Sequence, residues 1–262
     1  MKKRGNHFIN PEPGTLACGM EGEGRLAEVD SIVDRILDLL NADRSMSGLK
    51  VLVTAGPTIE DIDPVRFLSN RSSGKMGYAV AETAAGRGAE VYLVSGPTNL
   101  KAPQGVRFIE VRSAAQMKDA VLQRFPAMDI VVKAAAVADH SPVTTATEKL
   151  KKKDEDVNLH LVPTDDILEL LGRQKKDQIL VGFAAETERL LESARDKIAR
   201  KNLDLLVAND VSSGVFGSDT STVHILSRSG EPEILHKQTK HAVAGRILDI
   251  AVGIRQSAVG SK

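Results

Sequence analysis

The sequence predicts an α/β fold with a mainly parallel sheet, helices on both faces of that sheet and an additional antiparallel hairpin. Short β-branched runs of the kind buried in parallel sheets alternate with stretches of helical periodicity. The predicted strands are 49–53, 90–95, 106–111, 130–135, 179–183 and 203–207. One predicted helix begins near Gly74, and four more cover 114–124, 166–172, 188–200 and 240–255. Two more strands, 221–226 and 232–236, are predicted as a hairpin outside this alternation.

The N-terminal segment is predicted to form a separate domain. Residues 1–27 are rich in Gly and Pro and lack a lasting apolar period, which is typical of an arm. Residues 28–40 carry a helical apolar stripe, and 41–48 have the composition of a linker. We therefore predict an arm and helix over residues 1–45 and the main domain over residues 46–262.

Composition narrows the class of function. The 35 basic and 35 acidic residues give a net charge of zero, and aromatic residues make up only 3%, so neither nucleic acid nor a membrane surface is an expected partner. Cys18 is the one cysteine, which excludes a disulfide within the chain and a zinc site built on thiolates. Without a signal peptide or a long apolar run, the predicted location is the cytoplasm.

Two similar turns follow predicted strands: Gly56-Pro57-Thr58 and Gly96-Pro97-Thr98. Ligands of open α/β sheets bind beyond the carboxyl ends of the strands, where the backbone amides of such turns could meet a phosphate. Two ordinary structural turns are an equally good interpretation.

The segment from Asp63 to Gly77 carries the strongest indication of a binding site. Ser72 or Ser73 is a suitable N-cap for the helix that follows, and the free amides and positive dipole of a helix start favour phosphate. Gly74 allows close approach of a ligand. Three cations, Arg66, Arg71 and Lys75, are expected to supply charge. The spacing is not that of a Walker A loop, and a plain helix cap is the alternative.

Further candidates are polar residues next to predicted strands and helices. Asn70 is suited to donate to a developing oxyanion, although loop asparagines more often serve a turn. Asp139 follows a run of small residues and could hold a ribose hydroxyl, a base edge or a metal ion, or cap a turn. Lys197 and Lys201 lie one helical turn apart without an acidic residue at i−4, so an anionic ligand would relieve their repulsion. The charged run 148–156 is either a solvated loop or a mobile cationic flap.

Several of these segments together resemble phosphopantothenate–cysteine ligase, the ligase half of the bifunctional bacterial protein of coenzyme A synthesis. The resemblance starts at about Leu49, reaches the C-terminal helix and rests on TAGPT, DPVRFLSNRSSGKMG, AAAVAD, EKLKK, VGFAAET, ARKNLDLLVANDV and FGSD. Residues 6–25 resemble the end of the decarboxylase half, so Cys18 is expected to be an inert remnant. Thr164-Asp165-Asp166-Ile167 and His140 depart from the family's usual residues.

The resemblance implies a Rossmann-like three-layer fold, a homodimer, Mg²⁺ and CTP as co-substrate, with no flavin in this chain. It implies that 4′-phosphopantothenate is activated as an acyl-cytidylate and then joined to L-cysteine, with Asn70 and Lys149 as catalytic residues. The positions implied for phosphopantothenate are Asn70, Ser72, Ser73, Gly74, Lys75 and Ala135. The positions implied for the nucleotide are Gly56, Ala135, Asp139, Lys149, Phe183, Lys197 and Lys201.

Two other functions compete with this prediction. A nucleotide-dependent reductase would need an acidic ribose ligand at the end of the second strand, where the sequence has Val94-Ser95-Gly96. A non-catalytic binding subunit is the other alternative. Release of pyrophosphate that requires both phosphopantothenate and CTP would separate the ligase from both.

Overall fold

The computed structural model describes residues 8–15, 21–40, 43–151, 158–186, 190–210, 220–228 and 230–260. The chain divides into two compact units, Met1–Arg44 and Ser45–Lys262. The first unit contains the strands β1 (Glu12–Thr15) and β2 (Glu21–Arg25), which pair antiparallel, and helix α1 (Val29–Leu40). The helix agrees with the apolar stripe of the sequence, whereas the hairpin before it was not predicted.

The second unit contains twelve of the described strands and five of the described helices. Its strands are β3 (Lys50–Ala55), β4 (Ile59–Asp61), β5 (Phe67–Ser69), β6 (Glu90–Ser95), β7 (Val106–Glu110), β8 (Ile130–Lys133), β9 (His140–Pro142), β10 (Leu161–Pro163), β11 (Ile179–Glu186), β12 (Leu205–Asp210), β13 (Thr220–Ser227) and β14 (Glu233–Thr239). Its helices are α2 (Lys75–Gly86), α3 (Ala114–Arg124), α4 (Ile167–Gln174), α5 (Leu190–Arg200) and α6 (Lys240–Gly260).

Eight strands form one sheet in the order β14-β13-β12-β11-β8-β3-β6-β7. The six strands from β12 to β7 run parallel, and β13 and β14 run antiparallel, which confirms the predicted mainly parallel α/β fold. The predicted hairpin is present as the antiparallel pair β13–β14, outside the alternation of strands and helices. It extends the sheet through β12, because Val223, Ile225 and Leu226 of β13 are buried and belong to the core.

The core lies on both faces of the sheet, as a three-layer fold requires. Along β3, Val51 and Val53 pack with the side of α2 and α6, whereas Leu52 packs with the side of α3, α4 and α5. This alternation is the period of two of a strand buried on both faces. Helix α2 can approach β3 closely because Gly77 has no side chain: a Cβ there would lie 2.6 Å from the Cβ of Ala55.

The parallel strands place their carboxyl ends at one edge of the sheet, and the loops after β3 and β8 carry the small antiparallel pairs β4–β5 and β10–β9. The first of these pairs lies between residues 59 and 69, where the sequence predicted no strand. The predicted strand 203–207 begins two residues later, and the predicted strand 130–135 ends at Lys133. None of the helices in the described ranges is long and apolar enough to cross a membrane.

Candidate functional site

A cavity of about 700 Å³ opens at the carboxyl edge of the sheet. Lys133 at the end of β8 and Phe183 in β11 contribute to its wall, as do residues of the loops that follow β5 and β8. Seven residues predicted for the site line this cavity: Asn70, Arg71, Ala135, Asp139, Phe183, Lys197 and Lys201. The structure therefore brings together residues that are far apart in sequence, at the edge where α/β sheets bind ligands.

The other predicted site residues do not line this cavity: Gly56, Ser72, Ser73, Gly74, Lys75 and Lys149. Lys75 instead lines a separate cavity of about 600 Å³. The predicted serine N-cap of α2 is wrong. Gly74 is the N-cap, with φ of 75° and no side-chain cap, and its amide donates to Ser72 Oγ at 3.3 Å. Serine could adopt this left-handed conformation only with strain, so the cap position falls on glycine.

The two Gly-Pro-Thr turns pack against each other. A Cβ on Gly96 would lie 1.7 Å from the carbonyl oxygen of Pro57, and one on Gly56 would lie 2.8 Å from the carbonyl oxygen of Gly96. The Thr58 amide donates to the carbonyl of Ala136 at 3.2 Å. These contacts support the interpretation of structural turns. The Thr58 amide in particular is already engaged within the protein.

The Asn70 side chain is fixed by the loop after β8. Its Nδ2 donates to the carbonyls of Val137 at 2.9 Å and Ala136 at 3.3 Å. These two bonds use both amide protons. The predicted role of Asn70 as a donor to an oxyanion therefore requires one of these bonds to break, and in this conformation its side-chain oxygen is the group that suits a ligand.

Lys201 and Asp166 form an ion pair at the cavity wall. Lys201 Nζ lies 2.5 Å from Asp166 Oδ2, while Asp166 Oδ1 accepts the amide of Glu169 at 3.0 Å and so caps α4. Burial pushes the pKa of Asp166 up, but the bonds from Lys201 and from the Glu169 amide outweigh it and the pKa is lowered. Lys201 has no acidic residue at i−4, as the sequence shows, but Asp166 at the start of α4 is its acidic partner in the fold.

Lys133 is a cavity residue that the sequence analysis did not assign to the site. Burial lowers the pKa of its ammonium group, and Lys201 acts in the same direction, whereas Asp166 and Asp139 oppose the shift. It lies within the predicted strand 130–135, but a lysine there could equally have pointed to solvent.

A second group of residues holds the start of the charged run. Asp63, only 1% exposed, accepts hydrogen bonds from the backbone amides of Val65, Arg66 and Leu150, and from the Arg66 side chain. Arg66 also donates to the carbonyl of Leu150 at 2.8 Å. Arg66 was predicted to supply charge to a ligand. In the structure its side chain instead binds Asp63 and the carbonyl of Leu150, and so fixes the backbone next to Lys149. Residues 152–156 of the run lie outside the described residues, as does Cys18.

We expect Asp63→Asn to loosen this contact. The Arg66 side chain holds the pKa of Asp63 well below its usual range, and the amides of Val65, Arg66 and Leu150 act in the same direction. The asparagine keeps one acceptor oxygen but loses the charge. Hydrogen exchange should show faster exchange at Leu150, by roughly tenfold or more.

The matched control is Asp61→Asn, two positions before Asp63 in the sequence. It removes the exposed ion pair of Asp61 with Arg112 and should leave the exchange rate of the Leu150 amide unchanged. Lowering the pH should speed exchange at the Leu150 amide, as Asp63→Asn does. The pKa of Asp63 is lower in the folded protein than in the unfolded chain. The stabilisation that its charge gives is therefore present above the unfolded pKa of about 3.9 and is lost as the pH falls below this value towards the folded pKa. Equal exchange at Leu150 in wild type and Asp63→Asn would contradict this role.

Comparison with known proteins places the chain in a family. Residues 46–254 match the family described as the DNA/pantothenate metabolism flavoprotein C-terminal domain. The chain belongs to this family. It is 50% identical over 246 residues to the coenzyme A biosynthesis bifunctional protein CoaBC of Bacillus subtilis (strain 168), an alignment that covers 92% of this chain and 61% of that protein. The chain thus spans less than two thirds of this relative.

Two other similarities bear on function. A protein of an unknown prokaryotic organism named cysteine/cysteine sulfinic acid decarboxylase is 44% identical over 257 residues, which is 95% of this chain and 71% of that protein. The crystal structure of the C-terminal domain of a coenzyme A biosynthesis bifunctional protein CoaBC has a TM-score of 0.71 and 42% identity. The match covers 82% of this chain and 99% of that domain.

The names of these proteins do not bear out the function predicted from the sequence. The family description contains the word flavoprotein and one relative is named a decarboxylase, whereas none of these four names contains ligase, CTP or Mg²⁺. The prediction of a CTP-dependent, nucleotide-binding ligase that needs Mg²⁺ and no flavin is corrected on this ground and is not carried forward. The word bifunctional implies two activities, and the names do not say which one resides in the C-terminal domain.

The described cavity is a poor fit for a flavin. A flavin ring needs a flat apolar slot. This cavity has one aromatic side chain among its described lining residues, Phe183, and its wall carries the cations Arg71, Lys133, Lys197 and Lys201. The faces of the ring cannot pair with these ammonium and guanidinium groups, so stacking the ring against them would desolvate charge. We therefore derive no chemical step through a flavin at this cavity.

Proposed function

We propose that this chain is an enzyme domain of coenzyme A biosynthesis whose cavity binds a phosphorylated derivative of pantothenate. The observation that carries the proposal is the cluster of Lys133, Lys197 and Lys201 around one cavity at the carboxyl edge of the sheet. The pantothenate and coenzyme A named for the family and for a relative with 50% identity supply the pathway.

Charge and shape support a phosphorylated ligand. A phosphate monoester carries nearly two negative charges at neutral pH and forms charge-assisted hydrogen bonds with lysine. Ala135 and Phe183 offer an apolar part of the wall for the carbon chain of pantothenate, and the Asn70 side-chain oxygen can accept from its amide or hydroxyl groups. The cavity volume of about 700 Å³ lies in the range of small-molecule sites.

The experiment is a calorimetric titration of the full chain with 4′-phosphopantothenate, 4′-phosphopantothenoylcysteine and pantothenate. We expect the two phosphorylated compounds to bind at least about 100-fold more tightly than pantothenate, since two or more lysine contacts are lost with the phosphate. Lys197→Met should weaken binding of the phosphorylated compounds. Lys50→Met, at the opposite end of β3, is the control and should not.

Two results would overturn the proposal. One is binding of pantothenate as tightly as the phosphorylated compounds. The other is binding of flavin mononucleotide in the cavity to the exclusion of phosphopantothenate. Product analysis after incubation with each phosphorylated compound, with and without added flavin, then identifies the reaction by whether carbon dioxide is released.

We further propose a homodimer in the cytoplasm that pairs through β14. This strand lies at the edge of the sheet, and five of its seven residues are exposed, so its backbone groups are available to a second copy. Ile234 in β14 is 45% exposed and would be covered by such pairing. Sedimentation velocity measures the assembly directly, and a monomer at micromolar concentration would contradict the dimer.

A further inference from the structure

A second cavity, with a volume of about 600 Å³, lies between helices α2 and α6 and the loop that follows β6. It shares none of its described lining residues with the first cavity. Helices α2 and α6 pack on one face of the sheet, whereas α4 and α5, which contribute to the first cavity, pack on the other face. The second cavity is therefore a separate feature of the fold.

The second cavity exists because α6 does not cover the start of α2. His241, the second residue of α6, pairs with Glu82 of α2, and its Nε2 lies 2.9 Å from Glu82 Oε2. Further along both helices, Arg87 binds the carbonyl of Gly245 at 3.3 Å and the carboxylate of Asp249 at 2.7 Å. The two helices thus run in the same direction, and seven residues of α2 precede Glu82. At 1.5 Å per residue, about 10 Å of α2 extends beyond the start of α6.

A chain of hydrogen bonds fixes part of the wall of the second cavity. Thr98 Oγ1 donates to the hydroxyl of Tyr78 at 3.0 Å, and this hydroxyl donates to Ser95 Oγ at 3.3 Å. Ser95 Oγ in turn donates to the carbonyl of Gly96 at 2.8 Å, and the amide of Leu100 donates to Thr98 Oγ1 at 3.3 Å. The Tyr78 side chain and the start of the loop are thus held in place. A ligand would find this wall already formed, which lowers the entropy cost of binding.

The lining of the second cavity combines apolar and positively charged groups. Leu100 and Pro103 of the loop are half-buried and contribute apolar surface. Three of the described lining residues are lysines: Lys75, Lys101 and Lys240. Glu82 is the one acidic residue among the described lining residues, and it is paired with His241. The cavity therefore carries a net positive charge next to apolar surface, which suits a ligand with an anionic head and a hydrocarbon body.

We propose that the second cavity is a binding site for a small organic anion. Its head group contacts the ammonium groups of Lys101 and Lys240, and its apolar body lies against Leu100 and Pro103. This site goes beyond the proposed function, because it is separate from the cavity that binds the phosphorylated derivative of pantothenate. Its test does not depend on whether the first cavity binds that compound.

The test is titration of the full chain with phenyl phosphate, which joins an anionic head to a compact apolar body. In two-dimensional NMR spectra, the amide signals of Leu100, Lys101 and His241 report on the second cavity. We expect saturable shifts of these signals with a Kd of roughly 0.1–1 mM, as befits a ligand of this size. Inorganic phosphate offers only the head and benzyl alcohol only the body, so each should bind at least about 10-fold more weakly.

Variants assign the binding to the second cavity. The double variant Lys101→Met/Lys240→Met should bind phenyl phosphate about 10-fold more weakly or worse. Lys197→Met in the first cavity and Lys50→Met at the opposite end of β3 should leave the shifts at Leu100 unchanged. The proposal is refuted if these signals do not shift up to about 10 mM phenyl phosphate, or if the double variant binds as tightly as wild type. Equal affinity for inorganic phosphate or for benzyl alcohol would also refute it, and this comparison needs only the wild-type chain.

Discussion

Gly96→Ala is expected to destabilise the main unit by about 3 kcal/mol or more, one of the largest effects open to a single methyl group. The added Cβ would lie 1.7 Å from the carbonyl oxygen of Pro57, far inside van der Waals contact. Neither of the two turns can move away easily. The Gly96 amide donates to Ala55 at the end of β3, and the Thr58 amide donates to Ala136, so relief of the clash would break hydrogen bonds at the edge that bears the cavity.

Urea unfolding followed by circular dichroism measures this effect, with Gly253→Ala as the control. Gly253 lies in α6, and a methyl group added there would meet no described atom within 4 Å outside its own stretch of helix. Alanine at this position should therefore stabilise the helix by about 0.5–1 kcal/mol. The two substitutions add the same atom to the same residue type with opposite expected signs. Equal stability of both variants would show that the two Gly-Pro-Thr turns are not packed together as described.

The parts of the fold that the sequence predicts well are those fixed by local signals. Strand β6 and helix α3 have the predicted bounds, and α3 begins with a complete capping box between Ser113 and Gln116. The hairpin of β13 and β14 was also recognised as two strands. Its membership in the main sheet was not, because pairing with β12 depends on burial against residues far away in sequence, which no local pattern encodes.

The candidate site shows the same division. Asn70, Asp139 and Lys201 were predicted, and the structure places all three on one cavity. The partnerships of these residues were not predictable. Lys201 meets Asp166 across 35 residues, and Asp63 meets Leu150 across 87. Contacts of this range decide whether a cation faces a ligand or a carboxylate, and so the sequence could indicate anion binding without showing which lysine is neutralised.

The reaction is a separate matter from the site. Residue chemistry indicates a phosphorylated ligand, but it does not specify which bond is made or broken. The predicted ligation came from motif resemblance, and the names of the relatives do not support it. A fold of this class hosts many chemistries, so the reaction has to be determined from its products.

The ion pair of Lys201 and Asp166 leads to a second large effect, with opposite signs for its two members. A phosphorylated ligand must compete with Asp166 for Lys201, because Nζ lies 2.5 Å from that carboxylate. Lys201→Met removes one attraction and leaves the Asp166 charge facing the ligand, so affinity for 4′-phosphopantothenate should fall by about 100-fold or more. Asp166→Asn releases Lys201 and removes a repulsive charge, so affinity should rise by roughly 10-fold.

Asparagine caps a helix as well as aspartate does, so Asp166→Asn should leave α4 intact and the change in affinity can be assigned to charge. Asp249→Asn is the matched control. Asp249 is 49% exposed against 43% for Asp166 and likewise pairs with a cation, but it lies on α6 away from the cavity. Calorimetry measures the affinity of these variants and of the Lys201→Met/Asp166→Asn double variant for 4′-phosphopantothenate, which completes a double-mutant cycle. The double variant should bind more tightly than Lys201→Met alone, because the unpaired carboxylate is gone. A loss of affinity in Asp166→Asn would mean that the carboxylate holds Lys201 in place for the ligand and does not compete with it.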